Sequence, residues 1–231
     1  MNNHARFLLV FTLLFSTLQV SQAKDDISNE KQKVGYSIGV SMGNNLKPFV
    51  SDLDFDAFIS GLRDQYKGNK LKMSNEEIQA SLQKLQQTMA SRKMAEQKKI
   101  ADKNAKLGTD FLAANKKKTG VKTTKSGLQY KVIKSGTGAT PKTTDTVTTN
   151  YRGTLIDGSE FDSSYSRGKP ASFPVNGVIK GWTEALQLMK VGDKWELYIP
   201  SELAYGVNGP SPKIGPNATL VFEIELLSID S

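Results

Sequence analysis

The sequence holds no cysteine, and its one histidine, His4, stands at the very start of the chain. Without cysteine there is no disulfide to brace a small fold, so each domain must stand on its own core. Without histidine or cysteine after residue 4, the chain cannot assemble a Ser-His-Asp triad or a Cys-His pair. The usual zinc and haem ligand sets are missing too, so no metal and no cofactor is expected. Long apolar runs are absent as well: past the N-terminal segment nothing approaches the ~18 consecutive apolar residues of a membrane span. The net charge of +8 comes with only one tight basic cluster, Lys116, Lys117 and Lys118. No recognition-helix or RNA-binding signature accompanies it, and no nucleic-acid partner is expected. Any catalysis must therefore come from carboxylates, hydroxyls, backbone groups and shape.

What is present begins with His4 and Arg6, an apolar run from Phe7 to Phe15 broken only by Thr12, and then Ser21-Gln22-Ala23. A basic start, a short greasy stretch and small residues before a cut describe a secretory signal over residues 1–23. Lys24-Asp25-Asp26 ends the pattern where cleavage should fall; the alternative is a buried N-terminal helix. The reading implies export, to the periplasm or to the outer membrane and cell surface.

Residues 27–118 have helical periodicity. A first helix is expected from about Ser28 to Leu46, with Val34, Ile38 and Met42 four residues apart and Gly35, Gly39 and Gly43 in a second stripe. Each glycine costs about 1 kcal/mol against alanine in a helix interior. Three in register point to close approach of another helix, either across a subunit interface through Gly35, Gly39, Met42 and Gly43 or within the domain. A second helix is expected from Asp54 to Lys67, closed by Gly68. A third starts behind Ser74, with Glu77 completing a capping box, and carries Ile78, Leu82, Leu85 and Met89 as an apolar seam. No Gly or Pro follows until Gly108. Continuous to about Lys116, it has ~42 residues and spans ~63 Å. Greasy at one end and polar all round at the other, it reads as an arm bridging two bodies.

After Gly120 the period shortens to two. Leu128, Tyr130 and Val132 alternate with polar residues, as do Val147, Thr149 and Tyr151, then Trp195, Leu197 and Ile199, then Leu220 to Leu226. Such alternation marks half-buried antiparallel strands. One amphipathic helix interrupts them, with Val178, Trp182, Ala185, Leu186 and Met189 on a single side. The fold class is thus α+β: an all-α N-terminal domain at 24–73 (a dimerisation domain if its glycine stripe faces a second copy), a long connecting helix at 74–118, and an antiparallel sheet wrapped on one short helix at 119–231.

The second half resembles the FKBP-type peptidyl-prolyl isomerases over ordered segments. They are Val147 to Leu155, Glu160 to Ser164, Gly177 to Trp182, Lys190 to Lys194, Ala204-Tyr205-Gly206 and Ala218 to Glu223. With the helical half included, roughly residues 27–231 are similar to the macrophage infectivity potentiator (Mip)-like group of dimeric, exported bacterial isomerases. The resemblance implies that Tyr151, Phe161, Val178, Ile179, Trp182 and Phe222 wall a proline-binding pocket, with Trp182 as floor and Ile214 overhanging. Taken one at a time, each reads first as an ordinary core residue; it is together, in family order, that they read as a pocket.

By the same resemblance Asp162 sits at the pocket edge, paired with Arg167 and accepting a hydrogen bond from Tyr151. Its alternative is a structural ion pair. Tyr205 would grip a substrate carbonyl, and the Ile179 N–H a second one. Ala171 stands where many members carry an aromatic, and two prolines precede Ile214 in its loop, which bears on substrate preference.

Rotation about an X–Pro bond breaks no covalent bond and suits a site without histidine or cysteine. The partners implied are proline-containing polypeptides, unfolded clients, a second copy of the chain and rapamycin-like macrolide inhibitors. A V-shaped homodimer with combined isomerase and chaperone activity, and a virulence-associated role, follow from the group. The alternative is a chaperone or host-surface binding protein in which the isomerase pocket is not the main activity.

Overall fold

The computed structural model describes residues 27–47, 50 and 53–230, so the expected signal at 1–23 lies outside the described residues. The chain divides into two compact units, Met1–Ser74 and Asn75–Ser231.

In the first unit, α1 spans Glu30–Leu46 and α2 spans Phe55–Lys67. Asn29 caps α1, its side chain accepting from the Gln32 N–H while Gln32 answers the backbone of Asn29. Two of the helix's orphan donors are satisfied in this reciprocal way. Asp54 caps α2 through the Ala57 N–H, and Gly68 closes it in the left-handed region at φ 66°, a conformation glycine adopts without steric cost. Neither helix has a fully buried residue. An apolar groove of about 320 Å³ runs between them, lined by Gly39, Met42, Gly43 and Leu46 from α1 and by Phe58 and Leu62 from α2.

The second unit opens with α3, Asn75–Asn115, 41 residues long and begun directly after Ser74. Freedom from Gly and Pro over about its first nine turns lets it run unbroken. The pairs Lys98–Asp102 (2.9 Å) and Lys106–Asp110 (2.6 Å) add i,i+4 support along its polar part, each worth a few tenths of a kcal/mol at most. Its C-terminal end is tied down. Buried Asn115 donates to Gln129 Oε1 at 3.0 Å, and Gln129 donates back to the Leu112 carbonyl at 2.9 Å. No described helix is long and apolar enough to cross a membrane.

The sheet is built from β1 (Val121–Thr123), β2 (Gln129–Lys134), β3 (Thr146–Leu155), β4 (Glu160–Ser163), β5 (Ala171–Pro174), β6 (Lys194–Ile199) and β7 (Leu220–Asp230). All pairings are antiparallel, in the order β1-β2-β6-β7-β3-β4, and β5 also pairs with β3. The alternating residues of β2, β3, β6 and β7 turn one face inward, where Val147, Leu197, Ile199, Leu220, Ile224 and Leu226 are buried.

Across that face lies α4, Lys180–Leu186, contributing Trp182, Ala185 and Leu186, with Met189 just after it. Gly181 permits the close crossing: a Cβ there would stand 2.5 Å from Ile199 Cγ2. The helix is shorter than its apolar pattern suggests. Val178 and Ile179 remain extended ahead of it, because the 3₁₀ turn Val175–Gly177 delivers the chain to the helix only at Lys180. The strands β1, β4 and β5 are only three or four residues long, too short for an alternation to be read from sequence.

Candidate active site

One edge of β3 is shared by two short strands, and the site forms where they part. β5 pairs with Thr146–Thr149 and β4 with Arg152–Thr154, leaving Asn150 and Tyr151 without a strand partner on that side. Ser164 takes the vacant place: its Oγ accepts the Tyr151 N–H, and its own N–H donates to the Tyr151 carbonyl, both at 2.9 Å. The backbone polarity of the gap is therefore satisfied locally. The same turn brings Asp162 of β4 and Arg167, in the 3₁₀ turn Tyr165–Arg167, to the Tyr151 hydroxyl.

That hydroxyl donates to Asp162 Oδ2 at 2.5 Å and accepts from Arg167 Nη2 at 2.7 Å, and Arg167 Nη1 pairs with Asp162 Oδ1. The Ser163 N–H also donates to Asp162 Oδ1, at 2.9 Å. Partial burial works to raise the Asp162 pKa, but donation from Tyr151 and Arg167 and the charge of Arg167 together outweigh it and hold the carboxyl below its ordinary value. Burial, then the bond to Asp162, pushes the Tyr151 phenol up, so it stays a proton donor well into alkali. A folded-state pKa below the unfolded one stabilises the fold above the unfolded value and loses that contribution as the pH falls through the folded one. The expected result is a ¹³C titration of the Asp162 carboxyl with its midpoint below about 3.9. A midpoint at or above that value would mean that burial prevails over the two donors.

Behind this trio is a cavity of about 680 Å³, within the range of ~300–1,000 Å³ of small-ligand sites. Trp182 forms its floor from α4, only 4% exposed. Its indole meets the rings of Tyr151 and Phe222 edge-on at 5.2 Å each, and that of Phe173 at 5.7 Å. Phe161 meets Phe222 edge-on at 5.4 Å. These tilted contacts match positive ring edges to negative ring faces. Gly153 makes the last pair possible, since a Cβ there would lie 2.6 Å from Phe161 and 2.7 Å from Phe222. Val178 and Ile179 form the side entered from the 3₁₀ turn, and Tyr205, Ser211 and Ile214 come from the segment after β6. The Ile179 N–H makes no hydrogen bond among the described residues. Burial, followed by the Asp162 charge, raises the Tyr205 phenol, leaving it protonated and able to donate.

Every residue expected at the pocket from sequence lines this one cavity, with Arg167 beside it. Sequence reasoning did not place Phe173, Gly177 or Ser211 in the lining. Phe173 sits opposite Val147 on the short β5, and an aromatic flanked by Ser172 and Pro174 gives no periodic signal. For Ser211, in a loop of Gly and Pro, no signal exists. In the other unit, Gly39, Met42 and Gly43 line the α1–α2 groove, and Gly35 lies open one turn earlier.

Comparison with known proteins gives a consistent result. Residues 137–227 match the family described as FKBP-type peptidyl-prolyl cis-trans isomerase, and residues 31–132 match the domain amino-terminal to it. The chain is 44% identical to the outer membrane protein MIP of Legionella longbeachae, over 95% of this chain and 94% of that protein. It is 46% identical to the FKBP-type isomerase FkpA of Aeromonas hydrophila, over 90% of this chain and 79% of that protein. The crystal structure of FkpA from Escherichia coli superposes with a TM-score of 0.73 at 42% identity, covering 88% of this chain and 98% of the other.

Proposed function

The chain belongs to the FKBP-type peptidyl-prolyl cis-trans isomerases, of the Mip and FkpA type, and from that premise we propose that the cavity above Trp182 is where the X–Pro bond turns. The observation that carries the reading is the aromatic hole with one ionised carboxylate at its rim. A planar amide is strongly dipolar, and its rotation costs ~18–20 kcal/mol in loss of resonance. Water stabilises the planar form. A proline ring seated against Trp182, Tyr151, Phe161 and Phe222 carries the amide out of water, which favours the twisted, less polar state.

Val178 and Ile179 close the wall, and Ile214 covers the ring from above. The Asp162 carboxylate, fixed by Arg167 and Tyr151, stabilises the charge redistribution in the twisted amide. The Tyr205 hydroxyl and the Ile179 N–H hold substrate carbonyls. Such bonds accelerate turnover only as far as they strengthen in the twisted state. Macrolides of the rapamycin class would compete for the same hole.

The proposal extends to the assembly. The α1 glycines have nothing within 4 Å of where a Cβ would stand. Val34, Ile38 and Val40 on the same helix are exposed. A helical pair with no buried residue lacks a core of its own, and a second copy seated on the α1–α2 groove supplies one. Two pockets on one dimer would hold an unfolded client through effective concentration, which is the basis for chaperone activity. The basic-apolar-small pattern of residues 1–23 supports export to the periplasm or outer surface. The virulence-associated role implied by the infectivity-potentiator group belongs to the same reading.

Light scattering on the mature full-length protein is expected to give twice the chain mass. Gly39→Glu, which puts a charge into the groove, should yield monomers. Those monomers still turn over short proline peptides but protect an aggregating client poorly. A monomeric wild type, or a dimeric Gly39→Glu protein, would remove the helical unit from the assembly.

A further inference from the structure

The segment between β6 and β7 overhangs the pocket and lends it Ser211 and Ile214. Within itself it is pinned by the Ile214 N–H to the Ser211 carbonyl at 3.1 Å and the Asn217 N–H to the Gly206 carbonyl at 2.7 Å. Ile214 itself belongs to the buried core, against which Leu203, Ala204 and Ala218 pack, and the side-chain hydrogen bonds that tie the loop down among the described residues run to α3. Asn104 donates through Nδ2 to the Pro216 carbonyl at 2.8 Å, across 112 residues of sequence. Asn217 points back toward the Ala101 carbonyl with a long contact of 3.5 Å, and is the one described non-glycine residue with positive φ, at 55°. Gly108 lets Thr219 approach so closely that a Cβ would stand 2.3 Å from its Oγ1. A Cβ on Gly215 would lie 3.1 Å from Asn104 Nδ2 and 3.3 Å from Ile100 Cγ2. Residues 101, 104 and 108 share one helical face, and all three meet this loop or Thr219 at its end.

From these contacts we infer that α3 is a working part of the isomerase pocket, with Asn104 as the positioning residue that sets the height of Ile214 above the proline site. The inference rests on the proline-pocket reading above. Pro216 has no N–H, so its carbonyl is the atom by which the loop can be held at that point, and Asn104 supplies the donor. Fixing Pro216 and the left-handed Asn217 beside it fixes the direction in which the chain leaves Ile214. With a proline ring seated over Trp182 as proposed above, the residue preceding it would lie toward the rim that Ser211 and Ile214 form, so a loosened rim alters discrimination at that residue more than turnover of the amide itself.

The test uses full-length protein and proline tetrapeptides differing only in the residue before proline, from alanine to leucine to phenylalanine. Asn104→Asp keeps the side chain's size but turns an acceptor toward the Pro216 carbonyl. The expected result is a fall in kcat/KM of roughly three- to tenfold, the worth of one hydrogen bond. It is carried mainly by KM and is unequal across the three peptides. Amide exchange at Ile214 and Asn217 should quicken while the β3 and β7 amides keep their wild-type protection. Asn217→Gly, which retains the left-handed backbone and loses only the reach to Ala101, should shift the same readouts less. Lys103→Ala, exposed on the neighbouring face, serves as control.

Unchanged peptide selectivity with unchanged exchange at Ile214 overturns the inference. So does a uniform rise in exchange through β3 and β7, which would mean that Asn104 serves only global stability. Wild-type activity in both Asp162→Ala and folded Trp182→Ala would instead overturn the pocket reading beneath it.

Discussion

Asp162→Ala is expected to lower kcat/KM for a proline tetrapeptide by roughly ten- to a hundredfold, with little change in the urea midpoint or in dimer mass. The estimate takes a charge-assisted hydrogen bond at about 1.5–3 kcal/mol and about 1.4 kcal/mol per decade of rate. The carboxylate side chain is 45% exposed, which places the effect toward the lower end. The same exposure is why stability hardly moves. Arg167, with 43% of its side chain exposed, turns to water once its partner is gone, so no charge is stranded in the interior.

Tyr151→Phe is the companion measurement. It keeps the edge-on ring contacts to Trp182 and Phe173 and removes only the hydroxyl between Asp162 and Arg167. A smaller loss than with Asp162→Ala is expected, since the ion pair survives. A protease-coupled assay at one temperature, beside urea titrations of each variant, separates rate from stability. Wild-type rates in both variants would reduce the trio to a structural ion pair.

The long strands were legible because burial on one face forces the period of two: β2, β6 and β7 have Leu, Val, Ile or aromatic residues on alternate positions, and β3 has Val147, Tyr151 and Leu155 in the same series as Thr149 and Gly153. The short strands were not. β1, β4 and β5 exist because β2 and β3 offer them a free edge, and three or four residues are too few for a period of two to stand out from the surrounding loop sequence. The long helix was legible from the absence of breakers between Gly68 and Gly108. Its dependence on the sheet domain was not, because Asn104 and Asn115 look like any other polar helix residues. Only the fold reveals that one faces Pro216 and the other is fully buried against Gln129.

The pocket residues came from family order over scattered segments, and their convergence on one cavity is a matter of geometry; their roles are what the variants test. Gly153 shows the limit of reading by residue type. It stands in a recognisable segment, yet its purpose, making room for Phe161 and Phe222, exists only once β4 and β7 lie against β3.

Trp182 tests the solvent-stripping argument most directly. Its indole N–H is buried without a hydrogen-bond partner among the described residues, so replacing the ring sacrifices packing and no internal hydrogen bond. Trp182→Ala should cost about 3–5 kcal/mol of stability, the usual range for removing a large buried aromatic. Trp182→Phe keeps an aromatic floor facing Tyr151, Phe173 and Phe222 and should cost clearly less.

The informative comparison is activity under conditions where both variants remain folded. If rotation is eased because the prolyl amide leaves water for an apolar floor, the alanine variant loses kcat/KM well beyond its folded fraction. About 1–2 kcal/mol of lost apolar contact to the proline ring corresponds to roughly five- to thirtyfold. The phenylalanine variant then retains most of its activity. If folded Trp182→Ala works as well as wild type, the hole merely holds the ring, and the catalytic effect must lie wholly with Asp162 and the hydrogen bonds at the rim.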